Sequence, residues 1–397
     1  MPSLRGTEDM EEANEATESQ PLPLGGGPPQ ERALVLRLKG THWEMGRAHA
    51  AQVAPLREPL FSFMRSQLDE LHKVPWAGER LRPLREAWGQ HAAPLVAMLE
   101  GLAEGLSLEP WDLFQYLAAP YVLELAKYTE AGGPECTVWA APVRDGAGGL
   151  QPVLCKNRDY RPQHVHLQVV VLAEPAEGYR YGYISSAGSP GVFSSGMNEQ
   201  GLAVADTRVR TPDQGPGVPR YGLMMEILER HGSVASALQY LQSVPHMGGG
   251  TLTLADARGH KAVVEVAHSG ARVVAHAQDP AGWVVSTNHF VHPDLADRWV
   301  DGSPPRLRGN SVARRAEVER WLAQRDDAPT VGDMVALLGL HRGPLDSLCR
   351  HEEVDGESRT VSGTVFLPAE RAFLFCHGYP CQGTFVRFEV GREKGFP

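Results

Sequence analysis

The sequence predicts a mixed α/β protein of the α+β type, in which antiparallel sheets are flanked by helices. Apolar residues recur at helical spacing over residues 41–106, and short segments of strand-like composition dominate after Cys136. Two helical patterns between residues 311 and 338 separate these strands from a last group over 360–390. Runs of helices followed by runs of strands indicate antiparallel sheets with helices on their faces.

The first third of the chain is predicted to contain one strand and several helices. Residues 33–38 form a strand candidate that ends at Gly40, and residues 111–123 form the last of these helices. Proline lacks a backbone donor, so each proline in this region is expected at a helix start or break. These prolines are Pro59, Pro83 and Pro94.

The rest of the chain is predicted to supply the sheets. Strands are predicted over 167–172, 179–185, 201–205, 252–255, 262–266, 273–274, 283–286 and within 360–390. Helices are predicted over 222–232, 233–242, 311–324 and 331–338. Thr330 is expected to cap the last helix, because threonine side chains accept hydrogen bonds from the first turn.

The composition is ordinary for a globular protein and argues against several partners. The chain has 397 residues, of which 42% are hydrophobic and 22% charged. Its formal net charge of −10 disfavours nucleic acid as a partner. The sequence contains no apolar run of about 18 residues, so membrane insertion is not predicted. The five cysteines are an odd number at low density, which favours a reducing, cytoplasmic setting.

Composition also divides the chain into three parts. Residues 1–30 are rich in Glu, Pro and Gly and are predicted to be a disordered acidic tail, with an acidic interaction tail as the alternative. Residues 31–135 form a mainly helical segment. Residues 136–397 form the β-rich part, which is expected to contain the catalytic core.

A hairpin beginning at Cys136 is the leading candidate for a site. A CTVWAA strand, an RDGAGG turn and a second strand ending in NRDY predict two antiparallel strands. Neighbouring strands lie about 4.8 Å apart, so Cys136 is expected close to Asp159. A thiol near Arg158 and Asp159 has the surroundings of an activated nucleophile. The alternatives are a buried structural cysteine and a surface Arg158–Asp159 ion pair.

Histidine and cysteine pairs raise the question of a metal site. These pairs are His164 with His166, His289 with His292, and Cys376-His377 with Cys381. None of them has a CxxC pair or HExxH spacing, so no metal is expected. The Gly248-Gly249-Gly250 run lacks the Lys-Ser/Thr of a phosphate-binding loop and is expected to be a turn.

Seven short motifs, taken in their order, resemble one family. They are CTVWAA, KNRDY, MNEQGLAV, STNHF, NSVARR, SLCRH and GYPCQGTF, all within residues 40–390. Together they resemble the Cys-type N-terminal-nucleophile (Ntn) hydrolases of the penicillin acyltransferase group, and more distantly bile-salt hydrolases and acid ceramidases. The resemblance implies a four-layer αββα sandwich with two antiparallel sheets face to face.

The resemblance also implies an inactive precursor that cleaves itself. The cut would fall between Glu135 and Cys136, so residues 1–135 would become a separate subunit of a heterodimer. The new α-amino group, with a pKa of about 7.7–8.0, can act as general base for its own thiol. Family members often carry a small residue before the nucleophile, whereas Glu135 is bulkier and can slow the acyl shift.

The other site residues of the family carry over by position. The resemblance implies that Asp159 orients the Cys136 amine and that the Asn288 amide belongs to the oxyanion hole. It implies that Arg314 is the arginine of the segment that follows. Each of these roles is an expectation that rests on the matching motif.

The remaining site assignments have more than one candidate residue. Arg308 and Arg315 are alternatives to Arg314, because both lie close to it in the sequence. Asn198 aligns with an asparagine on the substrate side, and Arg158 is a second candidate for contact with the substrate. No cofactor is implied for this chemistry.

The predicted function is a self-processing amidohydrolase that cleaves a small N-acyl or β-alanyl amide through a thioester on Cys136. One alternative is an acyltransferase that moves an acyl group from a thioester donor such as acyl-CoA to an amine. The other alternative is a non-catalytic binding protein on the same fold. Self-cleavage and thiol labelling separate the last reading from the first two, and the acceptor separates the hydrolase from the transferase.

Overall fold

The computed structural model describes residues 19–22, 33–126, 135–351 and 358–391. Its helices are α1 (His42–Gln52), α2 (Arg57–His72), α3 (Ala77–His91), α4 (Ala93–Leu106), α5 (Pro110–Ala126), α6 (Arg220–Arg230), α7 (Val234–Ser243), α8 (Asn310–Ala323) and α9 (Val331–Leu338). Its strands are β1 (Ser19–Leu22), β2 (Leu34–Gly40), β3 (Thr137–Arg144), β4 (Leu150–Tyr160), β5 (Gln168–Pro175), β6 (Tyr181–Ser186), β7 (Ser195–Asn198), β8 (Ala203–Arg208), β9 (Gly250–Ala255), β10 (Lys261–Ala267), β11 (Gly270–Ala277), β12 (Val284–Ser286), β13 (Arg359–Leu367), β14 (Ala372–His377) and β15 (Phe385–Glu389).

Within the described ranges the strands form two sheets. One has seven strands in the order β1-β15-β14-β13-β4-β3-β12, and the other has eight in the order β11-β10-β9-β8-β7-β6-β5-β2. Neighbouring strands are antiparallel except β2 and β5, which run parallel with Leu34 opposite Val169. β2 therefore joins the N-terminal segment to one edge of the eight-stranded sheet.

Side chains of β3 alternate between two buried layers. Val138 and Ala140 pack between the sheets, against residues of β6, β7, β8 and β9. Trp139, Ala141 and Val143 point the other way and pack against α8 and α9. The two-residue period of a strand sends successive side chains to opposite faces. The seven-stranded sheet is therefore covered by the second sheet on one face and by helices on the other.

Helices α1 to α7 cover the outer face of the eight-stranded sheet. They share one buried apolar cluster with β2, β5, β6, β8, β9 and β10. α1 and α4 approach so closely that a Cβ at Gly46 would lie 2.2 Å from the Met98 carbonyl oxygen. No helix in the described parts of the chain is long and apolar enough to cross a membrane. The order helix, sheet, sheet, helix confirms the αββα sandwich.

Local signals define where two of the helices begin. Thr41 and Glu44 form a capping box at the start of α1. Thr330 and Asp333 form the same arrangement at α9, which confirms the predicted cap. Pro94 lies in the first turn of α4, where a missing backbone donor costs little.

Two predictions differ from the structure. Pro83 lies inside α3 rather than at a helix end. Leu81 and Leu84 beside it are buried, and their packing offsets the hydrogen bond that proline cannot donate. Ser19–Leu22 falls in the predicted acidic tail, yet it pairs antiparallel with β15. The other residues of that tail lie outside the described ranges.

Residue 135 does not divide the fold into two separate cores. Helices α1 to α5 share their apolar cluster with strands that follow Cys136, and β2 pairs with β5. A cut before Cys136 would therefore leave the two pieces joined by this common core. The Gly132-Gly133-Pro134 sequence that directly precedes Glu135 lies outside the described residues.

Candidate active site

Cys136 lies directly before β3, at one end of the seven-stranded sheet. Thr137 pairs with Asn157 on β4, and Asp159 of β4 pairs with Thr360 on β13. These pairings bring the ends of three strands together, with Cys136 Sγ 4.0 Å from the Asp159 carbonyl oxygen. The predicted hairpin is confirmed, and it places the thiol close to Asp159.

Cys136 and Asp159 line one cavity, and part of its wall comes from helices that precede Cys136 in the chain. The aromatic side chains that line the cavity are Phe63, Tyr116, Tyr121, Tyr160, Phe193 and Tyr221. Phe63 belongs to α2, and Tyr116 and Tyr121 belong to α5. The segment before Cys136 therefore shapes the cavity.

The Asp159 carboxyl group is buried and only half satisfied. Its Oδ1 accepts a hydrogen bond of 2.7 Å from the Thr360 hydroxyl, whereas Oδ2 has no hydrogen-bond partner among the described residues. Burial raises the pKa of this carboxyl to about 6, and the guanidinium groups of Arg350 and Arg314 oppose the rise. A buried carboxylate oxygen without a donor is a place where an ammonium group can bind.

The Cys136 thiol is held in its neutral form in the uncleaved chain. Burial raises the pKa of the thiol, and Asp159 and Asp206 add to the rise. Lys156 opposes them, and its Nζ lies in the same cavity, 2.8 Å from Asp206 Oδ1. Because the thiolate is the nucleophilic form, the thiol requires a base before it can attack.

Arg314 connects the residues around Cys136. It is fully buried and donates to the Cys136 carbonyl oxygen at 2.7 Å and to Asn288 Oδ1 at 2.9 Å. Among its alternatives, Arg308 is exposed, and Arg315 pairs with Glu319 along α8. Of these three arginines, Arg314 is the one that contacts the backbone of Cys136.

Glu135, the residue before Cys136, is held by two buried arginines. Arg350 Nη1 lies 2.5 Å from its Oε2, and Arg314 Nη2 lies 3.4 Å from the same oxygen. The Ser303 hydroxyl donates to the other carboxylate oxygen at 3.0 Å. The Glu135 side chain is larger than the small residue common at this position, and its carboxylate is bound by Arg350, Arg314 and Ser303.

Asn288 follows β12, and its amide is fixed from both sides. Its Oδ1 accepts from Arg314, and its Nδ2 donates to the Arg208 carbonyl oxygen at 2.8 Å. Asn288 lines a second, smaller cavity together with Glu135, while Cys136 lines the first. The bond between Glu135 and Cys136 therefore joins residues that line the two cavities.

Arg158 lines the first cavity but does not form a surface ion pair. The side chains of Arg158 and Asp159 are both buried. Arg158 donates to the Ser186 hydroxyl at 2.9 Å and to the Ser185 carbonyl oxygen at 3.2 Å. The interpretation as a surface pair is wrong, because strands on both sides of β4 and the helical layer remove this segment from solvent.

Asn198 has a structural position outside the cavity around Cys136, and its contact with substrate stays a prediction. Its Nδ2 donates to the carbonyl oxygens of Leu228 and His231, and its Oδ1 accepts from the backbone of Gln200 and Leu202. These bonds use both ends of the amide to hold the turn between β7 and β8. Asn198 is not among the residues that line the cavity around Cys136.

Three neighbours of the site were absent from the predicted set. Lys156 lines the cavity, Thr360 binds Asp159, and Arg350 binds Glu135. Lys156 and Arg350 lie in the KNRDY and SLCRH motifs, whereas Thr360 lies at the start of the strand region predicted over 360–390. Side-chain partners depend on strand pairing, which composition does not reveal.

The histidine pairs noted in the sequence have ordinary hydrogen bonds. His164 contacts the Ser186 hydroxyl at 2.6 Å, and His289 contacts the Ser311 hydroxyl at 2.8 Å. Across the described residues neither pair belongs to a cluster of potential metal ligands. Cys381 does belong to such a cluster, which lies outside the cavity around Cys136.

The αββα sandwich, with Cys136 directly before β3, defines the class of N-terminal-nucleophile hydrolases. The sequence model of the acyl-coenzyme A:6-aminopenicillanic acid acyl-transferase family matches residues 146–382. The chain belongs to this family, which confirms the resemblance and makes it an enzyme of the Ntn class acting on amide bonds. The match includes Asp159, Asn288 and Arg314 and begins after Cys136.

Comparison with solved structures finds similar proteins at low identity. A mutant of conjugated bile acid hydrolase from Clostridium perfringens is 12% identical, with 61% of this chain and 89% of that chain covered and a TM-score of 0.42. Penicillin V acylase from Agrobacterium tumefaciens is 17% identical, with 61% and 83% covered and a TM-score of 0.40. The Caenorhabditis elegans ortholog of N-acylethanolamine-hydrolyzing acid amidase is 14% identical, with 59% and 93% covered and a TM-score of 0.39. A search of curated proteins finds no match.

Proposed function

We propose that this protein is a cysteine Ntn amidohydrolase that cleaves itself before Cys136 and then hydrolyses a small N-acyl or β-alanyl amide. One observation carries the proposal. The Cys136 thiol shares a buried cavity with Asp159, whose Oδ2 has no partner among the described residues. This is the arrangement that an N-terminal cysteine needs, since its ammonium group would bind at the open oxygen.

Self-cleavage would begin with attack of Cys136 Sγ on the carbonyl carbon of Glu135. The C–N bond breaks, the nitrogen takes the thiol proton and becomes the α-amino group of Cys136, and a thioester joins Glu135 to the sulfur. Water then hydrolyses the thioester, which frees the Cys136 thiol and leaves a new carboxylate on Glu135. Arg350 and Arg314 hold the Glu135 side chain during these steps, so the scissile carbonyl is restrained close to the thiol.

In the mature enzyme the α-amino group would serve as general base. A pKa of about 7.7–8.0 lets this group take the thiol proton near neutral pH, and Asp159 orients it. The thiolate attacks the amide carbon, the amine product leaves with a proton, and water releases the acid from the thioester. Asn288 donates one amide hydrogen to the Arg208 carbonyl oxygen, and its second amide hydrogen would stabilise the oxyanion while Arg314 holds the amide in place.

The cavity suits a small amide with an apolar or aromatic part. Its aromatic side chains offer apolar contact area, while Arg158 and the Lys156–Asp206 pair supply polar groups. A substrate with one polar end therefore fits better than a fully apolar one.

One further function has its own support. The family is described as an acyl-transferase that uses acyl-coenzyme A, which favours transfer of an acyl group to an amine instead of water.

Intact-mass measurement of the purified protein tests the proposal. Cleavage before Cys136 gives fragments of 135 and 262 residues, while Cys136→Ala stays a single chain of 397 residues. Incubation with an amide library then identifies the acid and amine products, and added amines test for transfer. A folded wild-type chain that keeps full mass and releases no product would overturn both catalytic proposals.

A further inference from the structure

Four potential metal ligands gather beside the seven-stranded sheet, away from the cavity around Cys136. They are His341, Cys349, His351 and Cys381. Each offers one ligand atom, and these four atoms all lie within 4.8 Å of one another. The set combines two thiols with two imidazoles, which is the donor chemistry of a zinc site.

The distances among three of the four ligand atoms match tetrahedral coordination of a zinc ion. The two sulfurs of Cys349 and Cys381 are 3.5 Å apart, and His351 Nε2 lies 3.8 Å and 3.3 Å from them. Zn–S bonds of about 2.3 Å and Zn–N bonds of about 2.0–2.1 Å place tetrahedral ligands roughly 3.3–3.8 Å apart. A disulfide needs about 2.05 Å between sulfurs, so both cysteines are free thiols in this arrangement.

The scaffold around the cluster holds its ligands in place. His341, Cys349 and His351 lie between α9 and β13, and Cys381 lies in the turn between β14 and β15. The backbone donors of Leu348 and Cys349 both bind the Leu340 carbonyl oxygen, which closes the loop that starts at His341. Two separate segments are thus brought to one point by the sheet.

Two neighbouring residues support the approach of these segments. The His351 ring stacks on the Tyr379 ring with centroids 3.9 Å apart and an interplanar angle of 9°, which orients the imidazole. A Cβ at Gly339 would lie 3.0 Å from Cys381 Cα, so glycine there permits the turn to approach α9. Tyr379 and Gly339 therefore support the ligands without providing a ligand atom.

We propose that His341, Cys349, His351 and Cys381 bind one zinc ion in a closed, four-ligand structural site. Four protein ligands leave no position for water or substrate, so the ion would stabilise the fold rather than take part in the reaction. The sequence predicted no metal, because neither CxxC nor HExxH spacing is present. The ligands come instead from segments some thirty residues apart, joined by the pairing of β13 with β14.

The ion would also restrain Arg350. This residue stands between Cys349 and His351, so the two ligands would fix the backbone on both of its sides. From there Arg350 reaches Glu135, and its backbone donor binds the Thr360 hydroxyl, which in turn donates to Asp159. Zinc binding would thus order the part of the chain that surrounds the proposed cleavage site.

Metal analysis of the purified full-length protein tests the proposal without any assay of activity. All samples carry Cys136→Ala, so that self-cleavage plays no part. We expect about one zinc per chain by inductively coupled plasma mass spectrometry. Cobalt exchanged into the site should show the absorption bands of thiolate charge transfer and of tetrahedral coordination. Less than a tenth of an equivalent of zinc after reconstitution with zinc chloride, or a Cys349–Cys381 disulfide in fresh protein, would overturn the proposal.

Matched variants locate the site. Cys349→Ser combined with Cys381→Ser should remove zinc, whereas Cys376→Ser should retain it, because Cys376 is a buried thiol outside the cluster. If the double variant does not fold, His341→Ala provides the test, since His341 is exposed. It should lose zinc to a competing chelator at a concentration at least roughly 10-fold lower than the parent does, because loss of a residue that merely supports a ligand already weakens metal binding by about 10–100-fold. Zinc retained equally by these variants and by Cys376→Ser would place any ion elsewhere and refute the site.

Discussion

Arg350 Nη1 lies 2.5 Å from Glu135 Oε2, which ties the residue before Cys136 to the segment that precedes β13. Arg314 contacts both the same carboxylate and the Cys136 carbonyl oxygen. The two residues on either side of the proposed cleavage site are therefore held by one arginine pair. A bulky residue at position 135 fits this protein because its charge has buried partners.

The first prediction concerns the Arg350–Glu135 ion pair. In the uncleaved Cys136→Ala protein, Arg350→Met should lower the free energy of unfolding by about 2 kcal/mol. Breaking a buried pair costs roughly 3–5 kcal/mol, and Arg314 keeps part of the interaction here. Urea denaturation measures the change.

Arg315→Met is the matched control for that measurement. Arg315 pairs with Glu319 one turn along α8, and such helix-surface pairs contribute about 0.3–0.5 kcal/mol. Equal losses in the two variants would show that the Glu135 carboxylate is not held by a buried ion pair.

The second prediction concerns the pH dependence that Asp159 causes. A carboxyl whose pKa is about 6 in the folded chain and near 3.8 when unfolded binds more protons in the folded state between these values. Stability is therefore lost as pH rises through this window, and the loss persists above it. In the Cys136→Ala background, Asp159 should cost roughly 2 kcal/mol between pH 4.5 and 7.5.

Asp159→Asn in the same background removes this titration and keeps an oxygen for the Thr360 hydroxyl. Urea denaturation of both proteins at the two pH values measures the difference. Parallel pH profiles for the two proteins would mean that Asp159 titrates normally in the folded chain.

The third prediction concerns Asn288 as a donor to the oxyanion. Asn288→Ala should fold normally and lower kcat by about 10²–10³ with little change in KM, since loss of one such donor has this effect. The already cleaved enzyme is compared with wild type for kcat, KM and Tm. A variant that loses Tm but keeps kcat would assign Asn288 to the turn after β12 instead.

Asn288→Asp separates donation from the positioning of Arg314. The carboxylate keeps an acceptor for Arg314 Nη2 but loses the side-chain N–H. If Asn288 acts as a donor, both variants lose turnover. Turnover that survives in Asn288→Asp and falls only in Asn288→Ala would instead indicate that the residue orients Arg314.

The fourth prediction concerns the covalent intermediate. A slowly hydrolysed amide or ester should leave its acyl mass on the peptide that begins at Cys136, and iodoacetamide should block both labelling and turnover. Cys376→Ser is the matched control and should behave like the wild type. Acyl mass found on Cys155, Cys349, Cys376 or Cys381, with Cys136 unlabelled, would refute Cys136 as the nucleophile.

Much of the fold follows from local patterns. The hairpin after Cys136, the caps of α1 and α9 and the alternation of β3 depend on residues close in sequence, so they could be predicted. The position of Pro83 inside α3 could not, because packing of its neighbours outweighed the local preference of proline. Ser19–Leu22 became an edge strand through pairing with β15, which lies at the other end of the chain.

The sequence by itself determined that Cys136 and Asp159 lie together, since a short turn joins the two strands that carry them. Only the tertiary structure decided which side chains surround them. Arg350, Thr360 and the aromatic wall from α2 and α5 reach the site through contacts between residues far apart in the chain. Contacts between distant segments also place Asn198 outside the cavity around Cys136 and bring His341, Cys349, His351 and Cys381 together. Pairing of distant strands sets side-chain neighbours, and no local pattern encodes that pairing.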